Sequence, residues 1–205
     1  MITALKRPEG KSEPTQARAR ARRLAILDAA NSFVLIGQTD KVTTTGVARR
    51  AGIPVGSVYR YFDGRVDILD QLYREAYDEI ETGMAEVQSS MHAKISVPEA
   101  IRFLLSTFTE LTRSHPSFRV LTKWANQHYT LWDVTPGPGS SLTAFIEKTL
   151  ADAGVTFAPE RRAAATKTIV TVVSVLVDQS LEEEDECKAN ALVDELGYLL
   201  NQYLQ

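Results

Sequence analysis

The chain has 205 residues, 44% of them hydrophobic, enough for one globular unit or two small ones sharing a core. No run of about 18 apolar residues occurs, so no membrane span is expected; the single cysteine, Cys187, excludes an internal disulfide and fits a reducing cytoplasm. The net charge of −3 hides a split, because residues 1–65 carry 12 Lys+Arg against 5 Asp+Glu (+7) while residues 66–205 carry 11 against 21 (−10). A basic N-terminal third on an acidic body suits a chain that meets a polyanion at one end, although uneven surface charge without a partner gives the same numbers.

Residues 1–17 are rich in Lys, Pro, Gly, Ser and Gln and read as a flexible basic arm. They lack the apolar core of an export signal, and a cytoplasmic location is expected. From Arg18 the pattern turns helical: Leu24, Leu27, Ala30, Phe33 and Val34 fall at three- and four-residue steps, and Gly37 is the natural stop. The stretch "TTTGVARRAG" offers threonine N-caps, a short helix and a stop at Gly52. A second short helix is expected over Pro54–Phe62, followed by a turn at Asp63-Gly64 and a long helix over Val66–Met91. Five more helices are expected at 97–114, 118–134, 142–153, 159–181 and 187–204. The segment "TIVTVVSVLV", residues 168–177, is β-branched enough to be a strand, but its flanks lengthen it into a helix that starts at Pro159. The fold class is therefore all-α.

A helix, a tight turn at Gly52 and a second helix make a helix-turn-helix, the geometry that lays one helix in a DNA major groove. Val47, Ala48, Ala51, Ile53 and Val58 would lock the two helices together. Outward lie Val55, Ser57, Tyr59, Arg60 and Tyr61, whose hydroxyl, phenol and guanidinium groups suit phosphates and base edges. Thr44 and Thr45 can present hydroxyls and backbone N–H groups to a phosphate at the start of the preceding helix. Two-helix corners that bind no DNA share this spacing, with Tyr59 and Tyr61 then half-buried core aromatics.

The segment "ILDAANSFVLIGQTDKVTTTGVARRAGIPVGSVYRYFDGRVDIL" resembles the N-terminal domain of the tetracycline-repressor (TetR) family of transcriptional regulators. Ile26-Leu27, Ala29-Ala30, Phe33, Gly37, Thr43-Thr44, Val47-Ala48, Ala51-Gly52-Ile53, Gly56-Ser57-Val58-Tyr59, Tyr61-Phe62 and Leu69 carry the likeness. Three positions depart from the family pattern: Pro54 replaces a capping serine, Val55 a polar residue, and Arg65 a lysine. The resemblance implies that Thr44, Tyr59, Tyr61 and Arg65 position phosphate, and that Val55, Gly56, Ser57 and Arg60 face the groove. Arg60 fits equally a solvated surface charge. The run "ARARARR", residues 17–23, either extends the contact to flanking backbone or is merely solvated.

Beyond the DNA-binding domain (18–65), residues 66–205 read as an effector-binding and dimerisation domain. The resemblance implies a ligand cavity among its helices, with Phe108, Phe118, Trp124, His128, Tyr129, Trp132 and Phe145 as candidate lining. Few charges occur among them, which suits a small, mostly apolar or aromatic effector; Arg102, Arg113 and Lys123 keep an acid group open. Ile169, Val173, Leu176, Leu192, Leu196, Leu199 and Tyr203 belong to apolar stripes wider than one small domain needs, and point to a homodimer through a four-helix bundle. His92, His115, His128 and Cys187 have no metal-ligand spacing, and no nucleophile elbow, phosphate loop or HExxH occurs. No catalytic residue, metal or cofactor is expected. The expected function is a homodimeric repressor of double-stranded DNA released by a small molecule; the alternative is a helical adaptor acting through protein contacts.

Overall fold

The computed structural model describes residues 13–89, 95–130 and 139–205. Among them are nine α-helices, a short 3-10 turn at Thr39–Lys41 and no strand. The helices are α1 (Glu13–Val34), α2 (Thr44–Ala51), α3 (Val55–Val58), α4 (Arg65–Ser89), α5 (Val97–Ser114), α6 (Phe118–His128), α7 (Ser141–Asp152), α8 (Pro159–Glu182) and α9 (Glu186–Leu204). Two compact units divide the chain, Met1–Leu72 and Tyr73–Gln205, with the boundary inside the continuous helix α4. The first turns of α4 thus belong with the N-terminal unit, where Ile68, Leu69 and Leu72 are buried.

In the N-terminal unit α1 starts earlier than its apolar periodicity indicates, so residues 13–17 of the expected arm are helical. Proline is tolerated in a first helical turn, and the Gln, Ala and Arg that follow Pro14 are good helix formers. Ile26, Leu27, Ala29, Ala30 and Val34 of α1 pack with Val42, Val47, Ala48, Val58 and Phe62 as the core. Fully burying each of the larger of these side chains is worth about 1.5–3 kcal/mol. Thr43 caps α2, its hydroxyl accepting the Gly46 N–H at 2.9 Å. Gly52 ends α2 in the left-handed region (φ 66°), and the Ile53 N–H reaches back to the Ala48 carbonyl at 3.0 Å.

The second helix of the motif is shorter than expected. It starts at Val55, directly after Pro54, and ends at Val58 rather than at Phe62. The turn continues past it, because the Tyr61 and Phe62 N–H groups both donate to the Val58 carbonyl, at 2.9 and 3.0 Å. That continuation carries Tyr59, Arg60 and Tyr61 onward and turns Phe62 inward.

In the C-terminal unit α8 and α9 pack along each other; α5 lies against α6, α7, α8 and α9, and α6 and α7 also meet α8. Phe108, Phe118, Leu121, Phe145, Ile146, Ile169, Val173 and Leu196 are among the core residues. The β-branched segment 168–177 is helical throughout. By length and composition alone α8 is apolar enough to cross a membrane. Here it is a core helix, burying Ile169, Val170, Val173, Val177 and Leu181. Helix α6 ends at His128, earlier than expected, because Tyr129 is extended (φ −118°, ψ 158°). The acidic run 182–186 has a structural use: Asp185 caps α9, accepting the N–H groups of Cys187 and Lys188.

Candidate nucleic-acid interface

The N-terminal unit separates its α3 segment into two faces. Val58 and Phe62 are buried, and the Arg23 guanidinium lies 5.6 Å from the Phe62 ring centroid. Tyr59 stands on the other face, 58% exposed, with Arg60 and Gly56 also exposed and Val55, Ser57 and Tyr61 partly so. The phenol oxygen of Tyr59 lies 3.1 Å from the Thr44 hydroxyl oxygen, which joins the second helix of the motif to the first turn of the other. Thr45 is exposed beside it, at a helix N-terminus, where backbone N–H groups favour an anion.

Arg65 has a more constrained setting than its spacing implies. Its Nε and Nη2 donate to the Thr39 carbonyl at 3.3 and 3.2 Å. The contact spans 26 residues, so no local signal announces it. It fixes the guanidinium at the start of α4 rather than leaving it to swing. Arg49 and Arg50 on α2 are exposed, and Arg50 lies over the Phe33 ring at 5.1 Å, so cations other than the expected ones share the surface of this unit.

In the C-terminal unit the expected effector residues fall into separate clusters. Phe118 meets Tyr73 (ring centroids 6.0 Å) and Tyr77 (6.4 Å). Trp124 stacks on His128 at 4.8 Å and meets Tyr129 edge-on at 5.8 Å. Phe145 pairs with Phe103 at 5.8 Å, and Phe108 is buried in the core. His128 is exposed, with Nδ1 2.8 Å from the Trp124 carbonyl of its own helix. Trp132 lies outside the described residues. Arg102, Arg113 and Lys123 are all exposed, and Arg113 donates to the Asn190 side-chain oxygen at 2.7 Å. Sequence reasoning passed over Tyr73, Tyr77 and Asp178; the signals for them are the four-residue spacing of the two tyrosines and an acid directly after an apolar run.

The expected dimer stripe divides likewise. Ile169, Val173 and Leu196 are buried within the single chain, and Leu176 and Leu192 are partly buried. Leu199 and Tyr203 remain 48% and 39% exposed, and they are joined by Tyr198, 66% exposed, which the stripe reading missed.

A capped short helix, a left-handed glycine turn and a second helix with buried anchors and polar outward tips define a helix-turn-helix DNA-binding regulator. Residues 26–72 match the model for bacterial regulatory proteins of the tetR family, and residues 96–204, more than half of the chain, match that for the tetracyclin repressor-like C-terminal domain. The chain belongs to the TetR family of transcriptional regulators. Among solved structures it is similar to a candidate transcription regulator from Lactobacillus plantarum, at 17% identity and a TM-score of 0.46, over 85% of this chain and 97% of that one. No curated protein matches it.

Proposed function

We propose that the chain is a cytoplasmic homodimeric repressor that leaves a palindromic operator when a small, mostly apolar effector occupies its C-terminal unit. The observation that carries the DNA half is the Thr44–Tyr59 hydroxyl pair, exposed on a segment whose other side is anchored by Val58 and Phe62. Thr44, Thr45, Tyr59, Tyr61 and Arg65 then position phosphate, while Val55, Gly56, Ser57 and Arg60 face base edges. Two copies must hold their recognition segments about 34 Å apart, one DNA turn, to read a palindrome. The exposed Tyr198, Leu199 and Tyr203 of α9, with Leu176 and Leu192, support pairing of α8 and α9 with a second copy.

Helix α4 runs without interruption from Arg65 to Ser89, so its residues belong to both units. An effector that binds one arrangement of the C-terminal unit more tightly shifts the population by its differential affinity alone. Filter binding with DNA from upstream of the chain's own coding sequence tests the proposal. Protection of a palindrome by a folded dimer is expected, with affinity falling steeply as salt rises. No protection at low salt refutes it, and retention of activity by Tyr59→Ala and Arg65→Ala identifies the adaptor instead.

A further inference from the structure

Four of the six residues from Arg18 to Arg23 are arginines, and no acid occurs between Glu13 and Asp28. All four lie on α1, and the first buried side chain described on that helix is Ile26. Residues 16–25 thus run about 15 Å along the helix axis without a side chain in the core. Arg18, Arg20 and Arg22 are exposed, and among the described residues none of the three has an ion pair. Such a stretch is poorly served by its own chain. It has no apolar stripe to pack, and Arg18 with Arg22, like Arg20 with Arg23, are like charges at helical spacing that weaken a helix. Only the good helix propensity of Arg and Ala opposes this.

Arg23 is the exception. It is partly buried, and its guanidinium lies 5.6 Å from the ring centroid of Phe62, the residue that follows Tyr61 and closes the turn after α3. The contact spans the N-terminal unit and fastens the base of the arginine stretch to the end of the recognition segment. Arg20, three residues before Arg23, shares its side of the helix, and Arg18 and Arg22 share another.

We propose that Arg18, Arg20 and Arg22 form a second DNA contact, to backbone phosphates flanking the segment that α3 faces. This rests on the reading of the N-terminal unit as a DNA binder and adds an interface to it. All four arginines precede residues 26–72, where the likeness to the family lies, so that likeness does not supply the contact. Guanidiniums spaced along an exposed helix suit a row of phosphates, whose charge removes the mutual repulsion that the free chain bears. They need no particular base sequence, because phosphate contacts carry none. A membrane surface fits less well: a helix that lies in a bilayer interface needs an apolar face, and residues 16–23 hold no apolar side chain larger than alanine.

Fluorescence anisotropy on the full chain with a duplex of arbitrary sequence, about 30 base pairs long, tests this without an operator in hand. Wild type is compared with a triple variant, Arg18→Gln, Arg20→Gln and Arg22→Gln, and with the same three positions changed to lysine. Gln and Lys are about as good helix formers as Arg, no core residue is touched, and Arg23 stays in place, so α1 should keep its circular dichroism. The slope of log affinity against log salt should fall by about 0.9 for each arginine that neutralises a phosphate, hence by about 0.9 to 2.7 in the glutamine variant. The lysine variant should keep the wild-type slope, which a merely structural role for the arginines would not predict. Equal slopes for wild type and the glutamine variant, an equal loss in both variants, or no wild-type binding of the duplex at low salt overturns the proposal. Protection of a palindrome by the same preparations separates the two readings. If wild type and the glutamine variant protect it with equal salt slopes, the repressor stands and this contact falls. If no palindrome is protected but duplex binding loses slope in the glutamine variant, the contact stands and the repressor falls.

Discussion

The hydroxyls of Thr44 and Tyr59, fifteen residues apart in sequence, lie 3.1 Å apart at the exposed edge of the helix-turn-helix. A phenol and a threonine so placed hold each other's rotamers, and the hydroxyl that accepts within the pair keeps its own proton free for a phosphate. Thr44→Val and Tyr59→Phe are each expected to weaken operator binding about five- to tenfold. The double variant should lose less than the product of the two, because either single change already breaks the pair. Fluorescence anisotropy titrations measure the cycle. Neither side chain is charged, so the salt dependence should keep its slope, whereas Arg60→Gln should lower it by about 0.9 if Arg60 neutralises a phosphate. Full additivity would show that the pair does not act as a unit.

Val55 is the first residue of α3 and only partly buried, at a position where the family pattern often has a small or charged polar side chain. An isopropyl group facing the groove matches one feature of a base edge, the thymine methyl. Replacing each operator thymine in turn by deoxyuridine is expected to weaken wild-type binding at one position per half-site, by about 0.8 kcal/mol for the lost methyl contact. Val55→Ser should bind the two operators equally. Wild-type affinity that is insensitive to every such replacement removes Val55 from base readout.

Gly46 and Gly56 make opposite demands. A Cβ on Gly46 would stand 2.6 Å from the Lys41 carbonyl oxygen and 3.0 Å from the Thr43 hydroxyl, against backbone that holds the start of α2. Gly46→Ala should destabilise the N-terminal unit by about 1–3 kcal/mol, seen as an earlier thermal transition. A Cβ on Gly56 meets nothing within 4 Å. Gly56→Ala should therefore leave stability unchanged and still weaken operator binding if, as proposed, Gly56 faces the groove.

Much of this was legible in the sequence because it is local. The capping threonine, the left-handed stop at Gly52, and the inward Val58 and Phe62 follow from spacing and residue type within one turn of each other. The shortness of α3 did not follow, since apolar spacing does not register that the chain past Val58 tightens into a three-residue turn at Tyr61. Two further features depend on residues distant in sequence: Arg65 on the Thr39 carbonyl, and the share of the α8–α9 stripe that a single chain buries. Periodicity identifies an apolar face without saying which neighbour covers it. Hence Ile169, Val173 and Leu196 read the same in sequence as Leu199 and Tyr203, although only the last two are exposed.

Asp178 also carries a stability signature. Its folded-state value of about 7 lies above the ordinary 3.8 of an aspartate, so the folded chain holds this proton more tightly than the unfolded one. The stabilisation is complete below about pH 4 and is lost as pH rises through 7. Asp178→Asn keeps the uncharged shape at every pH. It should be more stable than wild type at pH 8, by a few kcal/mol at most, and the difference should close toward pH 5. Paired denaturation curves at the two pH values give the difference free of the other carboxylates. A gap that widens on acidification would mean that Asp178 is held charged by a cation.

The exposed end of α9 separates pairing from folding. Leu196 is 1% exposed and Leu199 is 48% exposed, on the same helix and less than one turn apart. Glutamate at 199 remains in water in a monomer, whereas in a twofold helix bundle it faces its own copy and is desolvated there. Leu199→Glu is therefore expected to run as a monomer by light scattering, with its helical circular dichroism retained. Leu196→Glu buries a charge inside one chain and should lose the fold itself. Each recognition segment alone makes half of the phosphate contacts, so Leu199→Glu should also bind a palindrome far more weakly than wild type and a half-site about equally. A Leu199→Glu chain that stays dimeric would move the interface off this end of α9.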